Sequence, residues 1–116
     1  MDQTESLVKK IVEGLQEKKG KKIATIDLTK LSGAICQYMV ICEGNTPTQV
    51  AALSDSVWDY VRKEAGEKPI SIDGERNAQW LGMDYGTVLV HIFLTELRNF
   101  YNLENIWADS KVIRIS

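Results

Sequence analysis

The sequence contains 116 residues with a formal net charge of −2, and 44% of its residues are hydrophobic and 26% charged. This length suits one domain with its own core, and the charge argues against a protein that binds nucleic acid by a basic field alone. No apolar run approaches the ~20 residues that span a bilayer, and residues 1–5 lack the features of a secretory signal, so we expect a cytoplasmic protein.

The first predicted element is a helix over residues 2–18. Asp2 and Glu5 fit a capping box at its start. The apolar residues at helical spacing are Leu7, Val8, Ile11, Val12 and Leu15. Gly20 fits a C-cap, inside the basic run of residues 18–22. We interpret that run as a solvated helix end, with a small RNA-facing patch as the alternative.

Two strands follow the first helix. The β-branched run over residues 23–28 predicts a strand with Ile26 and Leu28 on one face. Residues 35–42 predict a second strand, apolar enough to be covered on both faces. The short connection over residues 29–34 makes the two strands an antiparallel pair.

Both cysteines, Cys36 and Cys42, lie in this second predicted strand. At ~3.3 Å per residue they would be about 20 Å apart, whereas a disulfide needs Cα atoms within roughly 7 Å. The chain has no CxxC spacing and only one histidine, which argues against a zinc site. We therefore interpret both cysteines as small buried hydrophobic residues.

The second helix has clear boundaries. Thr46 fits the N-cap, Pro47 the first helical position, and Gln49 the third residue of a capping box. The predicted buried stripe consists of Val50, Leu53, Val57 and Val61. Gly66 and Pro69 end the helix.

A short strand over residues 70–72 then implies a right-handed parallel crossover from the second strand. Residues 73–77 form a polar loop. Residues 79–83 and 87–93 are predicted to pair as a hairpin, with Gly86 at a positive-φ position in the turn.

Thr95 is the predicted cap of a last helix. Its apolar stripe would consist of Leu97, Phe100, Leu103 and Trp107. The tail over residues 111–115 alternates like an edge strand or an extended arm. This order of elements predicts one α/β domain over residues 1–116, a mixed sheet of about five strands flanked by helices.

Catalytic motifs are not found in this sequence. His91 lies in mid-strand, and no Ser or Cys motif supports a general base there; we favour a neutral, hydrogen-bonded structural imidazole. Metal-dependent phosphoryl transfer needs converging carboxylates, but Asp27 and Asp84 stand alone. We therefore predict no catalytic residue, metal or cofactor, and keep a minimal nucleotidyltransferase using these two aspartates as an alternative.

The polar loop and the hairpin are better interpreted as a surface for docking a protein. This predicted docking set consists of Trp80, Met83 and Tyr85, edged by Glu75, Arg76 and Asp84. Trp, Tyr and Arg are the residue types that most often dominate the energy of an interface. The alternative is that Trp80 belongs to the core and Tyr85 only decorates the turn.

An ordered string of residues in this half of the chain is familiar. It comprises Trp80-Leu81, Asp84-Tyr85-Gly86, Val90-His91-Ile92-Phe93, Arg98, Phe100-Tyr101-Asn102-Leu103-Glu104 and Trp107. Together these residues resemble the signature of the ribosomal silencing factor family, RsfS, also called Iojap. The resemblance covers a family core of about residues 7–107, with residues 108–116 as a C-terminal extension. The chain departs from the pattern in the turn over residues 43–47 and at Gly82-Met83.

The resemblance implies a nucleotidyltransferase-like fold without nucleotidyltransferase activity, and a function that is not enzymatic. Such factors bind the large ribosomal subunit through the ribosomal protein with the universal number fourteen, which forms a bridge to the small subunit. Occupying that protein blocks subunit association and represses translation when nutrients are scarce. The resemblance also allows a homodimer.

On this basis we expect the surface around Trp80, Met83, Asp84 and Tyr85 to dock on the ribosomal protein. Glu75 and Arg76 would be its rim charges. Whether His91 contacts the partner or only supports the sheet is left open, and ribosomal RNA would make at most a minor contact.

Overall fold

The computed structural model of the chain describes residues 3–29, 36–74, 79–96 and 111–114. Within these ranges the element order is α1 (Gln3–Glu17), β1 (Lys21–Asp27), β2 (Tyr38–Gly44), α2 (Pro47–Ala65), β3 (Ser71–Asp73), β4 (Trp80–Asp84), β5 (Val88–Leu94) and β6 (Lys111–Arg114). Thr95 and Glu96 are also helical, and the rest of the predicted last helix lies outside the described residues. No helix in these ranges is long and apolar enough to cross a membrane.

The strands form one mixed sheet in the order β3-β4-β5-β2-β1-β6. β2 and β5 are parallel, and every other neighbouring pair is antiparallel. The predicted α/β class and mixed sheet are confirmed. Among the described residues the sheet has six strands, because the alternating tail pairs with β1 as an edge strand, with Ile113 opposite Thr25.

The connection through α2 does not place β3 beside β2. The parallel neighbour of β2 is β5, and β3 pairs only with β4 at the edge of the sheet. β3 therefore runs in the same direction as β2, as the predicted crossover requires, but two strands lie between them. A strand of three residues with exposed Ser71 and Asp73 suits an edge and not an interior position, which would be covered on both faces.

The end of α1 lies one residue earlier than predicted. Lys19, with φ 58°, adopts the left-handed conformation, and its N–H donates to the carbonyl of Gln16 at 3.0 Å. The N–H of Gly20 donates to the carbonyl of Leu15 at 2.9 Å. The left-handed residue that ends the helix is therefore Lys19, and Gly20, the predicted C-cap, is the residue after it. A side chain is excluded there because a Cβ would lie 2.6 Å from the Sγ atom of Cys42. The predicted cap at Asp2 lies outside the described residues.

The boundaries of α2 are confirmed. The side chain of Thr46 accepts the N–H of Gln49 at 3.1 Å, and Oε1 of Gln49 accepts the N–H of Asn45 at 3.1 Å. Gly66, with φ 69°, is the left-handed C-cap. The predicted stripe is buried, together with Ser54, which the apolar pattern did not include.

The hairpin of β4 and β5 is also confirmed. Trp80 lies opposite Phe93 at one end, and Asp84 lies opposite Leu89 beside the turn. Gly86 has φ 89°, and its N–H donates to Oδ1 of Asp84 at 2.7 Å. The predicted positive-φ glycine therefore closes the turn.

The two faces of the sheet are packed differently. The helical face, covered by α1 and α2, holds the larger buried cluster, which includes Ile11, Leu15, Val40, Cys42, Leu53, Val57, Leu81, Met83, Tyr85 and Val90. The opposite face, which we call the aromatic face because it carries Trp80, His91 and Phe93, holds a smaller cluster of Ile26, Leu28, Cys36, Met39, Ile41 and Phe93. Both cysteines are buried, as predicted, and they belong to different clusters on opposite faces of the sheet.

Candidate protein-docking site

Strand alternation divides the predicted docking set between the two faces of the sheet. In β4, Trp80 and Asp84 project to the aromatic face, whereas Met83 projects to the helical face, because successive side chains of a strand alternate. Tyr85 continues this alternation into the helical cluster. The prediction that these residues form one surface around the turn is therefore wrong. Trp80 is also four residues from Asp84, about 13 Å along the strand.

Met83 and Tyr85 are core residues, with 1% and 7% of their surfaces exposed. The hydroxyl of Ser54 lies 3.7 Å from the sulfur of Met83, so this side chain packs under α2. The hydroxyl of Tyr85 is buried and has no hydrogen-bond partner among the described residues. Burial raises the pKa of Tyr85. Neither side chain is available to a docking protein in this conformation.

Trp80, His91 and Phe93 form a compact group on the aromatic face, which we call the aromatic trio. The ring centroids of Trp80 and Phe93 are 4.9 Å apart, and those of His91 and Phe93 are 5.9 Å apart. Phe93 is fully buried, whereas 43% of the surface of Trp80 is exposed. The trio therefore presents a large aromatic ring to solvent on a buried aromatic base.

A hydrogen bond fixes the geometry of the trio. The indole Nε1–H of Trp80 donates to Nδ1 of His91 at 3.1 Å. Since Nδ1 accepts, the proton of the neutral imidazole is on Nε2. Burial lowers the pKa of His91, which favours the same neutral form. This geometry agrees with the interpretation of His91 as a hydrogen-bonded, neutral imidazole.

The two aspartates of the nucleotidyltransferase alternative do not converge. Asp27 of β1 lies opposite Tyr38 of β2 and projects to the helical face, whereas Asp84 projects to the aromatic face. Three strand spacings, about 14 Å, separate their strands, whereas paired catalytic metal ions lie roughly 4 Å apart. Each carboxylate accepts a local N–H, from Thr29 at 2.9 Å and from Gly86 at 2.7 Å. The part of the chain that is described contains no cluster of three or more His, Cys, Asp or Glu suited to a metal ion.

The remaining candidates are charged. Glu75 and Arg76 lie outside the described residues, so their predicted role as rim charges stays a prediction. Lys18, Lys19, Lys21 and Lys22 are exposed around the turn between α1 and β1.

Comparison with known protein families identifies the family of this chain. The family model described as "Ribosomal silencing factor during starvation" matches residues 1–116. The chain belongs to the ribosomal silencing factor family, RsfS.

Individual RsfS proteins are similar over most of the chain. "Ribosomal silencing factor RsfS" of Chromobacterium violaceum is 34% identical over 107 residues, which are 92% of this chain and 86% of that protein. Its counterpart in Zymomonas mobilis is 36% identical over 104 residues, 90% of this chain and 77% of that protein. The chloroplastic protein Iojap of Zea mays is 33% identical over 79 residues, 68% of this chain and 34% of that protein.

Solved structures support the RsfS fold. A crystal structure of a protein from Chromobacterium violaceum superposes with a TM-score of 0.83 at 34% identity, covering 90% of this chain and 85% of that one. A crystal structure of a protein from Bacillus halodurans superposes with a TM-score of 0.79 at 27% identity, covering 96% of this chain and 99% of that one.

Two features of the site in this RsfS member were missed at the level of sequence. Phe93 was not assigned to the docking set, although its cross-strand pairing with Trp80 makes it the base of the trio. Gly82 lies directly opposite His91, and a Cβ there would be 3.8 Å from Nδ1. Counting strand positions outward from the turn would have found both.

Proposed function

We propose that this RsfS member binds the large ribosomal subunit through its bridge-forming ribosomal protein, universal number fourteen, and sterically blocks association with the small subunit. Translation would fall as a result. Membership of the family supports a ribosomal target. The exposed indole of Trp80, held by His91 and Phe93 on the aromatic face, is the observation that carries the choice of surface.

A rigid, partly exposed tryptophan is well suited to anchor an interface. Tryptophan is enriched among the residues that dominate binding energy. Its position in the trio is fixed before binding, so little side-chain freedom remains to be lost on association. Met83 and Tyr85, which are buried, support the hairpin from the helical face and are not part of the proposed contact.

A steric mechanism needs only size and placement. The molecule measures 35 × 34 × 24 Å, and a typical interface of ~800 Å² per partner would take roughly 12% of its 6884 Å² surface. No catalytic group is required for a bound protein to occupy a bridge.

Charge on the same surface would influence the rate of encounter. Asp84 lies on the aromatic face, and we propose Glu75 and Arg76 as rim charges of the docking surface. Acidic groups would steer the protein toward a basic partner and affect the association rate more than the final affinity. A direct contact of the exposed lysines with ribosomal RNA would give a steep fall of affinity with salt; a shallow slope is expected for protein–protein docking.

Substitution of Trp80 tests the proposed surface. We expect Trp80→Ala to weaken cosedimentation with purified large subunits by at least tenfold, because hot-spot residues contribute about 2 kcal/mol or more. In a sucrose gradient, the same variant should no longer prevent subunits from joining.

Ile70→Ala is the matched control. Ile70 is the other large exposed apolar side chain among the described residues, with 74% exposed, and it lies beside Gly86 at the opposite end of the hairpin. We expect this variant to bind and block as wild type does. Equal binding by Trp80→Ala and wild type would show that the surface is wrong.

A further inference from the structure

A hydrogen bond joins Trp80 of β4 to His91 of β5 on the aromatic face. Trp80 and His91 are diagonal neighbours, and the residue directly opposite His91 is Gly82. Diagonal neighbours on one face of a sheet are within reach of aromatic side chains, and the indole Nε1–H of Trp80 donates to Nδ1 of His91 at 3.1 Å. The acceptor of the indole N–H is thus a group that can be protonated.

Protonation would reverse the role of that acceptor. A neutral imidazole with its proton on Nε2 accepts at Nδ1, whereas an imidazolium is a donor at both nitrogens. The indole N–H is only a donor. Two donors would then face each other at hydrogen-bond distance, and the bond that orients Trp80 would be lost.

The charged groups around His91 are few among the described residues. Asp84 of β4 lies on the same face as His91 and opposite Leu89, two residues nearer the turn along β5. Glu43 of β2 lies opposite Phe93, two residues from His91 in the other direction. Arg114 of β6 occupies the row of His91 three strands away, about 14 Å. The cause of the lowered pKa of His91 is burial.

We propose that His91 is a positioning residue that holds Trp80 in its docking orientation only while the imidazole is neutral, so that binding to the ribosomal partner is released by protonation. This inference rests on the proposed function for the role of Trp80. It assigns no direct partner contact to His91. Of these two side chains only the indole contacts the partner, and the imidazole acts through it.

Nuclear magnetic resonance of the isolated protein tests the coupling without any partner. The indole Nε1–H signal of Trp80 is identified by its loss in Trp80→Phe. On acidification it should shift with a midpoint below 6.5, the ordinary histidine value, and with the same midpoint as the ring of His91. In His91→Asn the signal should not titrate in this range. An indole signal that stays constant while His91 titrates would overturn the proposal.

Two substitutions of His91 separate positioning from simple packing. In His91→Asn, Oδ1 can replace Nδ1 as an acceptor that does not titrate; in His91→Phe, aromatic volume is kept and the acceptor is lost. We expect His91→Asn to bind large subunits as wild type does and to keep binding in acid. His91→Phe should bind about fivefold more weakly at every pH, the value of one net hydrogen bond. If packing alone matters, the order of the two variants is reversed.

The two proposals fail in different ways. If Trp80→Ala keeps full binding while the indole signal follows His91, the docking surface is wrong and the coupling within the trio stands. If Trp80→Ala abolishes binding but wild-type binding is unchanged across the titration of His91, the docking surface stands and the control by protonation is wrong.

Discussion

At the scale of single residues, the surroundings of each side chain separate core residues from contact residues. Tyr85 and Trp80 are both aromatic and near in sequence, yet one is 7% exposed and the other 43%. Residue type alone places both in an interface. Only the direction of each side chain from the strand shows which one a partner could reach.

The buried hydroxyl of Tyr85 leads to a prediction about stability. The Tyr85 hydroxyl has no hydrogen-bond partner among the described residues, and a buried hydroxyl without a partner costs about 1–3 kcal/mol, so Tyr85→Phe should leave the free energy of unfolding unchanged or raise it. Tyr85→Ala removes a buried ring and should lower that free energy by about 3–5 kcal/mol. Chemical denaturation measures both changes.

Binding to large subunits provides the control for Tyr85. Tyr85→Phe should bind as wild type does, since the residue is in the helical cluster. A folded Tyr85→Phe variant with much weaker binding would mean that the hydroxyl reaches the partner, contrary to its burial here.

His91 leads to a prediction about pH and stability. Its pKa in the folded chain lies below the ordinary value of 6.5, so on acidification the unfolded chain binds the proton first. Between these two pKa values the unfolded state holds more protons, and stability therefore rises with pH across this window. The contribution of His91 to the free energy of unfolding is complete above pH 6.5. It is lost as the pH falls toward the pKa of His91 in the folded chain.

Denaturation of wild type and His91→Asn at a series of pH values measures this contribution. The difference between the two free energies of unfolding should change within that window and be constant above it. A difference that does not vary with pH would contradict the burial of a neutral imidazole.

At the scale of helices and strands, local signals were predictable and pairing order was not. The cap at Thr46 and the glycine at Gly86 depend on atoms within a few residues, so their sequence signals are sufficient. The position of β3 at the sheet edge depends on which strand lies next to β2, and no local pattern encodes that choice. For the site, the sequence indicates the residue types, but nearness in sequence does not separate the two faces of a strand, so Trp80 and Met83 lie on opposite faces.

The packing of α1 on the sheet leads to a prediction at Gly20. A Cβ there would lie 2.6 Å from Sγ of Cys42 and 3.2 Å from Cδ2 of Leu53, and its φ is not positive, so space and not backbone strain is limiting. We expect Gly20→Ala to lower the free energy of unfolding by about 1–3 kcal/mol through overpacking.

A double-mutant cycle with Cys42→Ala identifies the cause. Removing Sγ makes room for the new methyl group, so the double variant should be more stable than the sum of the single changes predicts, by about 0.5–3 kcal/mol. Additive effects would show that the clash with Cys42 is not what excludes a side chain from this position.

At the scale of the whole molecule, the fold assigns different tasks to the two faces of one sheet. The helices bury the larger cluster on one face, and the other face presents Trp80 on a base of buried side chains. The strand from the C-terminal tail pairs with β1, so the sheet is extended at the edge far from Trp80. A rigid domain of this kind can act as a spacer between two large particles without changing its own conformation.

The dependence of silencing on the amount of protein separates a spacer from an enzyme. A steric block inactivates only the large subunits that carry a bound copy. At concentrations well above the dissociation constant, the joined fraction should therefore fall in proportion to added protein and reach its minimum near one copy per large subunit. An enzyme that modifies subunits would act repeatedly, so a small fraction of one copy would silence the whole population given time.

Sucrose gradients over a range of molar ratios and incubation times measure this dependence. Trp80→Ala serves as the variant with a damaged docking surface, and Asp27→Ala as the variant with a damaged candidate catalytic group. We expect the first to lose the block and the second to keep it, with no change over time in either. Silencing that grows with time at low ratios and disappears in Asp27→Ala would replace the steric mechanism by a catalytic one, because occupancy alone cannot exceed the number of copies added.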